Sequence, residues 1–575
     1  MEKRWVLKQQ GCPVAIDSLT SELKINPILI NLLVQRGITS YDDARNFFRP
    51  SLDHLHDPFL MKDMDLAVAR IEEAIRQREN ILVYGDYDVD GTTAVALTYS
   101  FLKTLHGNIH YYIPDRYKEG YGISTQGIDW AKENNYSLII ALDCGIKSID
   151  KVAYANELGV DFIICDHHRP GAELPAAVAI LDPKRNDCEY PYKELSGAGI
   201  GFKLIQAIAQ QNNMPFTHLE QFLDLVAISI AADIVPITGE NRILAYFGLQ
   251  KVNSQPRPGV KAILELSSFK KELTISDVVF TIAPRINAAG RMEHGNKAVE
   301  LLISKNEDLA SFLGDDINEN NLKRKDLDAA ITEHALKIVE EDEGFAARKS
   351  TVVYSPDWHK GVIGIVASRL TDKYYRPTIV LTKSNGHVSG SARSVKDFDV
   401  YNALESCSDL LDQFGGHMYA AGLTMKEENV EPFRQRFEEV VASMITEQML
   451  TREMEVDCVL NLSDITPGFY KILKQFAPFG PGNMSPLFRS DSVRDNGKGK
   501  IVGNNHLKLS VLQDKRQGTF DGIGFQLGHH HPQIESAPFD IVYHIEENTF
   551  NGRTNLQLNI KDLKFANADV LVSSI

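Results

Sequence analysis

Residues 83–95 read VYGDYDVDGTTAV, with Asp86, Asp88 and Asp90 on alternate positions ahead of Gly91. Carboxylates this close repel one another unless a cation sits among them. The D-x-D-x-D-G spacing occurs in EF-hand calcium loops, which need a bidentate acid at the twelfth position. Counted from Asp86, that position is Leu97, and the ninth is Ala94. The preceding ILVY is a short strand-like run where an EF-hand has a helix. The calcium loop fails on both counts, and a solvated turn is the plain alternative for so much Asp and Gly.

More metal-binding residue types follow other apolar runs. LIIAL leads into Asp143, DFIIC into Asp166, His167 and His168, and LVAISIAA into Asp233. Each has an ordinary reading by itself. Asp88 and Asp90 suit a turn, Asp143 a helix N-cap before DCGIKSIDKVAYANEL, His168 a satisfied buried ring, and Asp233 a turn before a proline. Together they are harder to dismiss. If the runs are strands of one parallel sheet, their C-terminal ends share the edge where such sheets bind ligands. The acids and imidazoles gathered there could not stay unneutralised. Mixed carboxylate and imidazole donors suit Mn²⁺, or Mg²⁺ with fewer nitrogens, with zinc also open. A bridging carboxylate would hold two ions about 3.5–4 Å apart, which activates a water and stabilises the leaving oxygen of a phosphoester.

Other catalytic patterns do not hold. SGAGIGFKL has Phe202 where a dinucleotide loop needs its last glycine and a P-loop its lysine. Its glycines read instead as close packing at a helix start. The six cysteines form no C-x-x-C pair, which fits reduced thiols rather than a zinc ribbon or a disulfide framework.

The elements that must position these residues follow from the pattern. Between 61 and 240, strand-like ILVYG, IHYYIP, LIIALD, DFIICD and VAILDP alternate with helical TTAVALTYSFLKTL and SIDKVAYANELG. This predicts a mostly parallel sheet covered on both faces. From Leu309 to Gly344 apolar residues recur four apart, a helical connector of roughly 50 Å if unbroken, with Gly314 and the asparagines as potential breaks. A second α/β segment opens at STVVYSPDWHKGVIGIVASRL, and short strands with Gly/Asn turns fill the rest, the pattern of a small β-barrel. The expected division is an N-terminal segment 1–60, a catalytic domain 61–275, a helical connector 276–345, a substrate-binding domain 346–450 and an oligonucleotide-binding-type barrel 451–575. The fold class is α/β, two such lobes joined by a long helix and followed by the barrel.

A chain of 575 residues exceeds a single core. Its 43% apolar and 24% charged content is ordinary for a globular protein. No apolar run reaches the roughly 18 residues of a membrane span, and MEKRWVLKQQ lacks a signal-peptide core, so a cytoplasmic protein is expected. The net charge of −16 argues against nucleic acid as a partner unless a local basic face exists. Residues 489–516 supply one, with seven Lys/Arg against three Asp/Glu. Phe488, Phe520 and Phe525 flank or follow that stretch and are candidates either for stacking bases or for the barrel core.

DYDVDG, LDCG, DHH and AADIVP, in that order, resemble the four motifs of the DHH phosphoesterase superfamily. SGSARS and FGGHMYAAG resemble its substrate-binding half. RINAAGRM, FAPFGPGNMSPLF and the terminal strands are similar to its single-stranded-DNA exonuclease branch, over roughly residues 40–575. The resemblance implies that Asp88, Asp90, Asp143, His167 and Asp233 hold two Mn²⁺ or Mg²⁺ ions, that Asp86 assists them, and that Asp143 bridges them. It implies that His168 orients the site or touches the phosphate, and that Asp143, His168 and Asp90 form the catalytic set. Ser391 and Arg393 pair a hydroxyl with a planar guanidinium, a combination suited to phosphate. The resemblance implies that they hold the 5′-terminal phosphate with Arg116, while Arg285 and Arg291 line the strand path. Gly415 and Gly416 allow close backbone approach, and His417 can donate to a phosphate.

The expected activity is therefore 5′→3′ exonuclease action on single-stranded DNA in repair and recombination, with a groove too narrow for duplex. A helicase and a single-strand-binding protein are the expected partners. One competing reading is a phosphodiesterase for short oligonucleotides or cyclic dinucleotides, which needs only the two α/β lobes. The other is a non-catalytic single-stranded-DNA-binding scaffold, which would show lost ligands.

Overall fold

The computed structural model describes residues 3–514 and 518–565. Lys515 and Arg516 of the basic stretch and the tail 566–575 of the expected barrel domain lie outside the described residues. The chain forms two compact units, one of residues 56–235 and 247–452, the other of residues 4–55, 236–246 and 453 onward.

The first unit opens on five parallel strands: β1 (Asn80–Gly85), β2 (Ile109–Tyr112), β3 (Tyr136–Leu142), β4 (Asp161–Cys165) and β5 (Ala179–Leu181). They lie in the order β2-β1-β3-β4-β5. The interiors of β1, β3 and β4 are buried on both faces, which is why these strands read as apolar runs. The chain goes from β1 out to β2, then crosses back to β3 on the other side. The crevice at that reversal, between the C-terminal ends of β1 and β3, is the place where such sheets bind ligands.

Helix α1 (Val89–Leu105) follows β1 and packs on α2 (Gly197–Gln211) and α3 (Leu223–Ala232). The run LVAISIAA is therefore a helix, not a fourth ligand-bearing strand as the sequence pattern suggests. Eight apolar residues fit either element by periodicity, and burial on every side of α3 hides the helical signal.

After α4 (Ala283–Met292) comes α5 (Glu307–Glu340), an unbroken helix of 34 residues. Gly314 does not interrupt it. A methyl group there would sit 3.1 Å from the Ala262 Cβ, so this glycine lets two helices approach closely. Toward its C-terminus, Ile331, Ala335 and Val339 share a core with Val362, Val366 and Leu370 around α6 (Ile363–Tyr374). This second lobe has a sheet of β6 (Thr351–Tyr354), β7 (Thr378–Ser384), β8 (His387–Arg393), β9 (Gln413–His417) and β10 (Ala420–Met425), in the order β9-β10-β8-β7-β6.

In the other unit, β11 (Phe488–Asp495), β12 (His506–Leu512), β13 (Phe520–Gly524), β14 (Phe539–Phe550) and β15 (Arg553–Phe565) close into a ring, because β11 pairs with both β14 and β12. The core under the ring is shared with the leading residues, which the sequence pattern sets apart. Leu29, Leu33 and Phe47 pack with Phe476, Phe488 and Tyr543. Phe488 is fully buried and Phe520 packs against the same core, so only Phe525 remains exposed among the three candidate stacking rings.

Arg242, from the short piece 236–246, is buried in this unit. It donates to the carbonyls of Phe476 (2.8 Å), Phe47 (3.0 Å) and Ala477 (3.0 Å), and its guanidinium lies 3.8 Å from the Phe47 ring centroid. Arg242→Ala takes the guanidinium from the buried Phe47 and Ala477 carbonyls, while Asn483 still donates to that of Phe476 (2.8 Å), and is expected to cost on the order of 2–4 kcal/mol. A denaturant melt of the full chain measures it; an unchanged midpoint would mean that water replaces the guanidinium.

Candidate metal centre and active-site cleft

Asp86, directly after β1, is fully buried. Asp88 caps α1, its Oδ1 accepting the Gly91 N–H at 3.0 Å. Asp90, in the first turn of α1, accepts the N–H groups of Gly197 (2.7 Å) and Ala198 (2.8 Å) and the Ser229 hydroxyl (2.7 Å). The start of α2 thus grips Asp90 with backbone donors. A methyl group on Gly197 would fall 2.6 Å from the Asp143 Cβ. The glycines of SGAGIGFKL make room for this acid cluster.

Asp143, directly after β3, is buried with φ +59°. Aspartate tolerates this left-handed conformation better than most residues, and strain of this kind gathers at functional sites. It does not cap the following helix, whose N-cap is Ser148. Its Oδ1 lies 3.2 Å from His167 Nε2, which is also 3.5 Å from Asp233 Oδ2 and 3.7 Å from Asp90 Oδ2. Asp233 reaches this point from the C-terminal end of α3, and the next residue, Ile234, takes φ +60°.

Two sets of donor atoms, from Asp143, His167 and His168 and from Asp90, His167 and Asp233, each lie within 4.8 Å of one another. Neither ring nitrogen of His167 nor Oδ1 of Asp143 has a hydrogen-bond partner among the described residues. Burial pushes the Asp143 carboxyl well above the usual range, and Asp90 and Asp88 push it further. Burial, then Asp90 and Asp88, lift Asp233 to about 8. Burial lowers His167, leaving a neutral imidazole able to act as a ligand. Orphaned donors among crowded acids, with a neutral imidazole among them, fit divalent cations. Asp86 and Asp88 belong to neither donor set but stand at the same strand end, each raised by burial and by the acid next to it.

His168 is held differently. Its Nδ1 lies 2.7 Å from Asp166 Oδ1, which also accepts the backbone N–H groups of His167 (2.8 Å) and His168 (3.1 Å). Burial alone would lower the imidazole, but this hydrogen bond and charge hold it up at about 9. Asp166 itself sits at about 2, because His168 and the Ile146 N–H outweigh its burial. The sequence pattern places Asp166 at the strand end but assigns it no role. Nor does it single out Tyr121, whose hydroxyl is 3.4 Å from His168 Nε2.

His168 lines a cleft of about 1100 Å³ whose other walls include Arg116, Arg291, Lys360, Ser391, Arg393 and His417, with Gly415 and Gly416 on β9. Arg393 donates to the hydroxyls of Ser391 (3.1 Å) and Ser368 (3.2 Å). A methyl group on Gly364, in the first turn of α6, would lie 3.0 Å from Ser391 Oγ and 3.1 Å from the Arg393 guanidinium. No side chain caps α6, so its N-terminal N–H groups add to the positive end of this wall. Burial, then Arg116, Arg324 and Arg393, bring Arg291 down to about 10. Gly416 takes φ +148°, and a side chain there would strike the Ala420 carbonyl at 2.4 Å. Arg285 is not among the lining residues; it is spent on Asn318 Oδ1 (3.0 Å) and the Thr281 carbonyl (2.6 Å).

Known proteins share this architecture. Residues 80–230 match the DHH family N-terminal domain, 348–443 the DHHA1 domain and 456–562 the RecJ OB domain. The single-stranded-DNA-specific exonuclease RecJ of Bacillus subtilis is 39% identical over 97% of this chain and 70% of its own length. A crystal structure of RecJ in complex with Mn²⁺ from Thermus thermophilus superposes with a TM-score of 0.84 at 27% identity, over 98% of this chain and 80% of that one. The Mg²⁺ complex from the same organism gives 0.78 at 26%, over 98% and 79%. No helix among the described residues is long and apolar enough to cross a membrane. Identity along nearly the whole length, with these three domains in this order, makes the chain a member of the RecJ family.

Proposed function

We propose that the protein is a metal-dependent exonuclease that degrades single-stranded DNA from the 5′ end to mononucleotides, in DNA repair and recombination. The observation that carries this reading is one cleft. Asp166 and His168 line it next to the acid–imidazole cluster with its orphaned donors, and the unpaired side chains of Arg116, Arg291 and Lys360 line it with Ser391 and Arg393 of the second lobe. The side chains of Arg116, Arg291 and Lys360 find no hydrogen bond or ion pair among the described residues. Such a wall asks for a polyanion, and the overall charge of −16 keeps binding local to it. The names of the curated relatives and the Mn²⁺ and Mg²⁺ complexes of the Thermus protein support the same assignment.

Asp88, Asp90, Asp143, His167 and Asp233 would hold two Mn²⁺ or Mg²⁺ ions, with Asp143 as the bridge and Asp86 in support. Bound there, the ions supply an activated water and neutralise charge on the leaving oxygen. The chain's own groups do the rest. Asp166 fixes His168 in its protonated form, which donates to a non-bridging phosphate oxygen. Asp143, His168 and Asp90 are the groups nearest the reaction. Arg393, Ser391 and the start of α6 receive the terminal 5′-phosphate, with Arg116 facing it across the cleft. Holding the end while the scissile ester lies at the metal centre produces stepwise release. Arg291, His417 and the Gly415–Gly416 backbone guide the following nucleotides. A cytoplasmic location, with a helicase and a single-strand-binding protein as partners, fits this activity.

A time course on single strands labelled at the 5′ or the 3′ end, with Mn²⁺, Mg²⁺ or chelator, tests the reading. Label at the 5′ end should leave as mononucleotide from the first turnovers, chelator should stop the reaction, and added ion should restore it. Blunt duplex cut as fast as single strand would refute it.

A further inference from the structure

The loop between β2 and the helix Thr125–Glu133 carries both Arg116 and Tyr121 into the cleft. Within the first lobe it is braced by Glu119, which accepts from the Asp115 N–H (2.8 Å), the Tyr112 hydroxyl (3.0 Å) and the Ser124 hydroxyl. Between its two cleft residues stands Tyr117, which has no place in the functional reading above. Its N–H is held by Asp115 Oδ1 at 2.9 Å, and its hydroxyl donates to the Arg291 carbonyl at the end of α4. The same residue, by its ring and its backbone carbonyl, meets the second lobe. Its ring lies edge-on to His359, with centroids 6.1 Å apart, and the Asn385 amide points at its carbonyl from 3.5 Å. Gly361 closes the contact: a methyl group there would lie 2.7 Å from the Tyr117 hydroxyl and 2.9 Å from the Arg291 carbonyl. Gly361 has no left-handed φ to explain the glycine, so the requirement is for space between the lobes.

We infer that Tyr117 is a positioning residue that clasps the two lobes together, so that their approach and the placing of Arg116 and Tyr121 over the strand end are one event. The inference rests on the functional reading given above. Tyr117 does not itself line the cleft, so it acts through lining residues: Arg116, its neighbour in sequence, and Arg291, whose carbonyl it holds. Arg116 in turn lies over the Tyr87 ring, 5.0 Å from its centroid, next to the first acid strand end. A clasp in this position sets how tightly a 5′ end is gripped without altering the bond-breaking groups.

The test is steady-state cleavage of 5′-phosphorylated and 5′-hydroxyl single strands by the full chain. Tyr117→Phe keeps the ring and removes one hydrogen bond. It should raise KM for the phosphorylated strand about 3–10-fold and leave kcat within about twofold. KM for the 5′-hydroxyl strand should move less, so the preference between the two ends narrows. Gly361→Ala should do the same more strongly, and Asn385→Ala, at an exposed position, more weakly. Titration with Mn²⁺ alone should be unchanged in all three. An equal rise for both strand ends, or a fall in kcat at constant KM, would overturn the clasp. If Tyr117→Phe proves unstable, Asn385→Ala decides: wild-type KM values there refute the proposal. A wild-type protein that leaves single strands intact would instead sink the functional reading itself.

Discussion

Asp143→Ala should abolish cleavage while leaving affinity for single strands near the wild-type value. Its Oδ1 is a buried acceptor without a hydrogen-bond partner, 3.2 Å from the imidazole common to both donor sets. Removing it takes a ligand from at least one ion, and several kcal/mol of charge stabilisation with it. At about 1.4 kcal/mol per decade, kcat should fall on the order of 10³-fold or more. On the proposed reading strand binding rests on the cationic lining of the cleft, so it should lose nothing, and with one acid fewer it should if anything tighten. Because Asp143 holds φ +59°, the alanine variant also carries a backbone cost, so Asp143→Asn is the companion. Asparagine tolerates the left-handed region and keeps the shape, but it donates where a carboxylate accepts. Both variants should be inactive in Mn²⁺ and bind labelled oligonucleotide by fluorescence anisotropy. Activity within tenfold of wild type in either would remove Asp143 from the centre.

The second large effect concerns the strand end. Arg393→Ala should erase the preference for a 5′-phosphate over a 5′-hydroxyl. The guanidinium is preoriented by Ser391 and Ser368 beside the uncapped start of α6. A charge-assisted pair of this kind is worth about 1.5–3 kcal/mol, so KM for the phosphorylated strand should rise about 10–100-fold. The 5′-hydroxyl strand never makes the contact and should change little. Arg393→Lys should recover only part of the difference, because an ammonium cannot reproduce a planar fork held by two serines. Equal losses on both kinds of end would place the phosphate elsewhere in the cleft.

Part of this site follows from local pattern. A strand buried on both faces must be apolar throughout, so the place where the run stops marks the sheet edge, and polar residues there face the crevice. Asp86, Asp143, Asp166 and the paired histidines were legible for that reason. The spacing of SGAGIGFKL likewise announced a tightly packed helix start, and the structure adds what it packs against: Asp90 held by backbone donors, Asp143 in contact with Gly197.

The tertiary structure alone decided the rest. Asp233 reaches the centre from a helix end, since eight apolar residues carry no information about period once all sides are buried. Asp166 and His168 pair through a hydrogen bond whose direction depends on how the loop after β4 turns, which composition does not record. Arg285 and Arg291 lie six residues apart on α4, yet one is spent on α5 and the other borders the cleft. Residues 4–55 share a core with strands more than 400 positions later in the chain, and Phe488 fills that core instead of meeting bases. Periodicity reports which face of an element is dry. Which distant partner dries it is settled only when the chain closes on itself, because burial there is a property of the pair.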